Sequence, residues 1–287
     1  MFNRKLKYGI SLFLLALSIV LGTIIFYSQN NEDFKVIFLD VGQGDAILIS
    51  DRNYQMLVDG GRDGKLLLNK LGKYIPFWDR NIEVMLATHP DQDHIAGLIS
   101  VLNSYNVKTI VKTEDQSETQ TYKTFEQKIS DEKAENIEAK KETVVKFPNG
   151  AEAEIVYPFS ETGDIQDNRS NIGSVVVRIS YGENSFLLTG DLPKENELTL
   201  IRSEVALSSR VLKVAHHGSR YSTSAEFLDK VNPTDAIISV GKNNSYGHPN
   251  PETLNILKEK NINIFRTDEE GDIVYDCQKD SICNKSL

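Results

Sequence analysis

Apolar and polar positions along the chain follow two rhythms. Apolar runs of strand length recur at residues 34–39, 45–50, 55–58, 82–88, 108–112, 143–147, 152–157, 174–181, 185–189, 211–215, 235–240 and 262–265. Between some of them, apolar residues at helical spacing mark 64–74, 93–105, 120–130, 194–204, 224–230 and 251–260. This many buried strands interleaved with helices predict a layered α+β domain. About 250 residues is large for one domain but acceptable for a two-sheet core. No internal repeat is evident.

A third rhythm precedes the domain. Residues 8–27, YGISLFLLALSIVLGTIIFY, contain no charge. Twenty helical residues span about 30 Å, the thickness of a bilayer core. Arg4, Lys5 and Lys7 stand before the run, which predicts a cytoplasmic N-terminus and an extracytoplasmic domain. A signal peptide, with secretion after cleavage, is the alternative. Its apolar core is usually about 7–15 residues and ends in a small-x-small site, and IIFYSQN is a poor one. The expected organisation is therefore residues 1–32 as basic tip, transmembrane signal anchor and short linker, with 33–287 as the domain. Cys277 and Cys283 are the only cysteines. Their spacing lets them close a small disulfide loop in an oxidising compartment. Two free thiols or a metal pair are the other readings, although no further cysteine or histidine is near.

Charge narrows the partners. The chain carries −9, and without its three leading basic residues −12. It lacks the broad positive field that drives nonspecific nucleic-acid binding. The most charged stretch, residues 113–142, reads as a solvated helix and loop, or else as a partner surface. Binding to nucleic acid would need a narrow basic strip, for which Arg220 and Lys242 are the hints.

The chemistry gathers in ATHPDQDHIAG, residues 87–97. It places His89, Asp91, Asp93 and His94 between an apolar strand and a helix, with Asp93 at the expected N-cap. Imidazoles and carboxylates this close suit a divalent metal; the plainer reading is a capping Asp with solvated loop charges. The other histidines are His216 and His217 in VLKVAHHGSRYS and His248 in NNSYGHPNPE. All five histidines follow predicted strands, which argues for one shared site. NSFLLTGD ends on Asp191, either a turn residue or a bridging carboxylate. In DVGQGD a turn explains the glycines without function.

Taken together, FLDVGQGDAILI (38–49), LVDGG (57–61), THPDQDH (88–94), LLTGD (187–191), VLKVAHHGS (211–219), ISVGKNNSYGHP (238–249) and RTDEEGDI (266–273) resemble the metallo-β-lactamase-fold hydrolases. Within them the chain is most similar to the hydrolase domain of ComEC-type competence proteins. The resemblance implies an αββα sandwich. It implies His89 and Asp91 at a first metal, Asp93 and His94 at a second, and Asp191 bridging. The last histidine ligand maps to His216, with His217 as second choice. His217, His248 and Ser219 are then left for catalysis or substrate binding, and Asp45, Asp59 and Asn171 for support around the ligands. The superfamily usually has one more histidine before the bridging Asp. Here residues 95–215 contain none, and the nearest candidates are Asn168, Asn171 and Ser174. That leaves a harder, oxygen-rich first site, suited to Mn²⁺ or Mg²⁺, with Zn²⁺ as the alternative.

One or two divalent ions, Mn²⁺ or Zn²⁺, are therefore the expected cofactors, and no nucleotide cofactor is expected. A metal-bound hydroxide would attack a phosphodiester of nucleic acid, an envelope polymer or a small ester. The competing reading is a non-catalytic metal-binding or assembly module of a competence or envelope system. Full competence proteins of this type carry a multi-span channel domain, whereas this sequence has one apolar span, so a transport role of its own is not expected.

Overall fold

The computed structural model describes residues 4–30, 34–159 and 170–286. The chain divides into two compact units, Met1–Asp33 and Phe34–Leu287. The first holds helix α1 (Arg4–Asn30). Its described side chains, Arg4 and residues 7–23, are all exposed. Among the described residues no helix is long and apolar enough to cross a membrane.

The second unit is built on two sheets, with strands numbered in chain order. One sheet runs β15 (Asn284–Ser286), β14 (Ile273–Cys277), β1 (Phe34–Phe38), β2 (Ile47–Asp51), β3 (Tyr54–Val58), β4 (Asn81–Ala87), β5 (Asn106–Lys112), β6 (Glu135–Glu138). The other runs β13 (Asn263–Arg266), β12 (Asp235–Ile238), β11 (Val211–Lys213), β10 (Asn184–Leu188), β9 (Val176–Tyr181), β8 (Glu152–Tyr157), β7 (Val144–Lys146). Three apolar cores account for the near-continuous apolar runs. Phe34, Val36 and Phe38 face the other sheet. Ile37 and Leu39 face the opposite way, into a core completed by α2 (Gly64–Tyr74), α3 (Gln92–Leu102) and α4 (Gln120–Asp131). A third core lies between the second sheet and α5 (Lys194–Arg202), α6 (Ala225–Val231) and α7 (Pro251–Glu259). Strands buried on both faces have no polar side, so their apolar residues do not alternate. The result is an αββα sandwich.

Direction of travel positions the site. From β3 to β6, and from β10 to β13, neighbouring strands are parallel. Their C-terminal ends gather at one end of the sandwich, where loops carry Asp59, His89–Asp91, Asp191 and His216–His217 and the first turn of α3 carries Asp93. The start of α3 is clamped there by backbone bonds: the Gly60 amide donates to His94 O (2.7 Å) and the Gly97 amide to Gly61 O (2.9 Å). A Cβ on Gly97 would stand 1.8 Å from Gly60 O, so only glycine permits this approach.

Several expectations need correcting. β6, β14, β15 and the short helix α8 (Thr267–Glu270) were not expected from the apolar pattern. β6 and β15 are short edge strands with half-buried or exposed side chains, and β14 alternates buried with half-buried residues, so none offers an unbroken apolar run. The N-cap of α3 is Asp91, not Asp93, and its side chain makes no capping bond. Asp93 lies in the first turn, with its carboxylate directed to His217. Cys277 and Cys283 are joined as a disulfide.

Candidate metal centre

Four elements deliver the cluster. His89 follows β4, and burial leaves its side chain no solvent. Thr88 fixes this segment. Its amide and hydroxyl donate to Asp59 (2.8 and 2.7 Å), and its Oγ1 lies 2.9 Å from His89 Nδ1. Asp59 also takes His94 Nδ1 at 2.8 Å. One buried carboxylate therefore orients both imidazoles of the motif, leaving each Nε2 to face inward. Asp59 adopts φ 57°, a left-handed conformation, to reach both.

Asp191 is the hub. Its Oδ1 lies 3.3 Å from His94 Nε2, and its Oδ2 lies 3.8, 3.7 and 3.6 Å from the Nε2 atoms of His89, His216 and His217. The histidine pair sits on a tight turn after β11 in which His216 (φ 51°) and His217 (φ 54°) are both left-handed. That turn sends the two rings apart, 81° between their planes. His217 goes inward: its Nδ1 donates to Ser239 O (2.9 Å) and its Nε2 lies 3.4 Å from Asp93 Oδ2. His216 stays 31% exposed, its Nδ1 3.4 Å from Asn171 Nδ2. The structure thus brings His217, not the first-choice His216, to Asp93 and His94. Consecutive left-handed residues decide which ring turns in, and sequence spacing does not reveal this.

The remaining expected residues fall as follows. Asp45 is buried, 3.5 Å from His217 Nδ1. Asp91 is 40% exposed and 3.8 Å from His89 Nε2. The Asp191 amide donates to Ser174 Oγ. Ser219 is buried and its Oγ accepts the Tyr221 amide. His248 meets His216 edge to face and His217 at a tilt, with centroids 5.5 and 6.4 Å away. It lines a cleft of about 650 Å³ with Lys242 and Arg266. Asn168 lies outside the described residues.

Sequence reasoning missed Lys213. It is fully buried at the end of β11, donates to Gly190 O (3.0 Å) and ion-pairs with Asp45. Its signal was present: a lone charge inside the apolar run VLKVA, just ahead of two histidines. Thr88 was missed too, and nothing in its sequence context marks it.

Electrostatics follow from burial among opposed charges. Burial pushes Asp45 up, but Lys213, His217 and His94 outweigh it and hold the carboxyl at about 2. Asp191 is likewise held well below the usual range by His217, His94 and His89 against burial. Burial lowers His94, yet Asp191 and Asp59 raise it well above its ordinary value, and His217 rises to about 9 by the same balance. Burial and the neighbouring His94 depress His89 to about 4. Burial with His216 and His217 depresses His248 to about 4.

The donors fit a divalent cation. His89 Nε2, His94 Nε2, His217 Nε2 and Asp191 Oδ1 are buried without a hydrogen bond inside the protein. Such atoms are costly unless a cation takes them. His89, His94 and Asp191 offer ligand atoms within 4.8 Å of one another, as do Asp93, His94 and His217.

Residues 39–242 match the Metallo-beta-lactamase superfamily, and the chain belongs to it. Members of that family are generally metal-dependent hydrolases. The chain is 30% identical to ComE operon protein 3 of Bacillus subtilis over 89% of its own length and 34% of that protein's. It is 28% identical to Recombination protein 2 of Haemophilus influenzae over 88% of its length and 30% of that protein's. It spans about a third of these relatives. The metallo-beta-lactamase fold protein YhfI of Bacillus subtilis superposes with a TM-score of 0.53 at 11% identity, covering 88% of this chain and all of that one. That likeness supports the fold alone.

Proposed function

We propose that the protein is a metal-dependent phosphodiesterase acting on nucleic acid or another phosphodiester polymer. We place it on the extracytoplasmic side of a membrane to which α1 anchors it. The observation that carries the hydrolytic reading is the convergence of buried, unbonded donor atoms around Asp191. In this reading Asp93, His94, His217 and Asp191 hold one ion. His89, Asp91 and Asp191 hold a second, with His216 in reach of the same carboxylate. Two oxygen-rich ligands at the second position favour Mn²⁺ there, while the imidazole pair His94 and His217 also suits Zn²⁺. Bound ions would lower the pKa of water and polarise a phosphoryl oxygen.

The chain's own residues supply the rest. Asp59 and Thr88 keep His94 and His89 pointing inward. His248 is unprotonated at physiological pH and lines the cleft, where its free ring nitrogen can accept a hydrogen bond or a proton from an attacking water. Lys242 offers positive charge to a phosphodiester in that cleft, whereas Arg266 beside it is already paired with Asp268 and Glu269. The name of one relative, Recombination protein 2, supports a nucleic-acid substrate.

Anchoring is supported by the uncharged run of residues 8–27, by the exposed apolar side chains on its helix, such as Leu12 and Phe13, and by the basic residues ahead of it. The test is metal content together with turnover of an aryl phosphodiester and of single- and double-stranded DNA, across Mn²⁺ and Zn²⁺ series. Turnover that follows metal occupancy supports the reading. Stoichiometric metal without turnover of any phosphodiester replaces it with the non-catalytic module, the reading that the missing superfamily histidine favours.

A further inference from the structure

The end of the sandwich opposite the metal centre carries an exposed aromatic pair. Phe77 and Trp78 form the turn between α2 and β4 and are 79% and 72% exposed. Their rings meet edge to face, centroids 4.9 Å apart, so they present one apolar tip. Outside α1 they are the most exposed large hydrophobic side chains described. Water contact for a Trp–Phe pair is unfavourable, and a Trp ring is suited to the boundary between lipid and water.

Topology says which end this is. β1 is antiparallel to β2, β2 is antiparallel to β3, and β3 is parallel to β4. β1 and β4 therefore run the same way, and Asn81 at the start of β4 lies at the same end as Phe34 at the start of β1. Phe34 is where the chain arrives from the uncharged run 8–27. Residues 28–30 still belong to α1, so in sequence only residues 31–33 separate that helix from Phe34. Ile282, 56% exposed, is at this end too, because Cys277 at the head of its disulfide loop pairs with Phe34. Charges there are balanced: Arg52, Arg80 and Lys279 are interleaved with Asp79, Glu183 and Asp280.

We propose that the Phe77–Trp78 tip is a lipid-contact site that inserts into the headgroup boundary of the bilayer and holds the metal centre facing away from it. This rests on the anchoring reading. Because the surrounding charges balance, the contact depends on the aromatic rings and needs no anionic lipid.

Trp78 is the only tryptophan in the chain, so its emission reports on the tip without a label. The full chain is reconstituted in phosphatidylcholine vesicles, floated on a density gradient, and its emission compared with and without lipids brominated near the headgroup. The expected result is co-flotation, blue-shifted emission, and quenching of about twofold by the brominated lipid. Phe77→Ser should weaken that quenching while the chain still floats. Flotation with unquenched, water-like emission overturns the tip and leaves the anchor standing. Flotation with Trp78 shielded but unquenched by bromine assigns the tip to a protein partner or a second copy and likewise overturns it. Failure to float overturns the anchor, and the tip with it.

Discussion

Lys213 on β11 forms a buried ion pair with Asp45 on the loop after β1, linking the two sheets beside the metal-ligand cluster. Neither side chain reaches solvent appreciably, at 0% and 2% exposure. Lys213 brings a positive charge among carboxylates, Asp45 and Asp191, that would otherwise repel one another.

Breaking that pair should be costly. Lys213→Met leaves the Asp45 carboxylate buried without its main partner and should destabilise the domain by about 3–5 kcal/mol. Asp45→Asn combined with Lys213→Met should recover part of this loss, because both charges are then gone. Denaturant melts of the three variants check it. An unchanged midpoint for Lys213→Met removes the pair from the stability argument.

The two adjacent histidines should separate cleanly. Loss of an orienting partner such as Asp59 typically costs roughly 10–100-fold in metal affinity, and loss of a ligand costs more. His217→Ala should therefore weaken binding more than Asp59→Asn, and Asp59→Asn more than His216→Ala. Asp191→Asn should reduce turnover most, since an amide cannot replace a carboxylate shared by four imidazoles. Titration calorimetry with Mn²⁺ and Zn²⁺ gives the order. If His216→Ala strips the metal and His217→Ala does not, the ligand set is reversed.

Metal binding should depend on pH with a definite sign. Carboxylates raise His217 to about 9 and His94 well above its ordinary value, so both rings carry protons at neutral pH. A ligand imidazole must lose its proton, so apparent affinity should climb with pH up to about 9 for His217 and then level off. Binding measured in buffers of different ionisation heat counts the protons released. No release between pH 6 and 8 would contradict this balance.

Asp272 predicts acid sensitivity away from the centre. Its carboxylate receives Lys70 (2.6 Å), Lys73 (3.2 Å), the Tyr74 hydroxyl (3.0 Å) and the Asp40 amide (2.9 Å), tying the start of β14 to α2 and to the end of β1. Burial raises it, but these partners prevail and hold it below its ordinary 3.8. An acid whose folded value is depressed contributes stability above the ordinary value and loses it as pH falls through the lowered one. Asp272→Asn should therefore cost about 2 kcal/mol at pH 7. The gap to the parent should close in strong acid. A gap unchanged at pH 2 would exclude the carboxylate charge as its source.

The three cores were legible because strands buried on both faces print as near-continuous apolar runs, as at Val84 to Ala87 and Val175 to Val177. The two edge strands β6 and β15 were not, because backbone pairing holds polar stretches such as Asn284–Ser286 that carry no apolar mark. Five histidines past strand ends pointed to a shared site, and the fold gathers all five around Asp191 and the adjoining cleft. The orientation of His216 and His217 was out of reach, since φ alone decides which ring turns inward. Lys213 was overlooked for a different reason: a lone charge stands out inside VLKVA, but its role depends on Asp45, which lies far away in sequence and across the sheet gap.

The left-handed turn at the histidine pair sets function against durability. His216, His217 and Gly218 take φ of 51°, 54° and 82° in succession, conformations that glycine adopts freely and histidine does not. Glycine at position 216 would relieve about 1 kcal/mol of backbone strain while removing a half-buried imidazole beside Asp191. Selection for heat resistance alone would then favour a hardier protein with an impaired centre. A lineage under such pressure keeps its histidine pair only while turnover is also being selected.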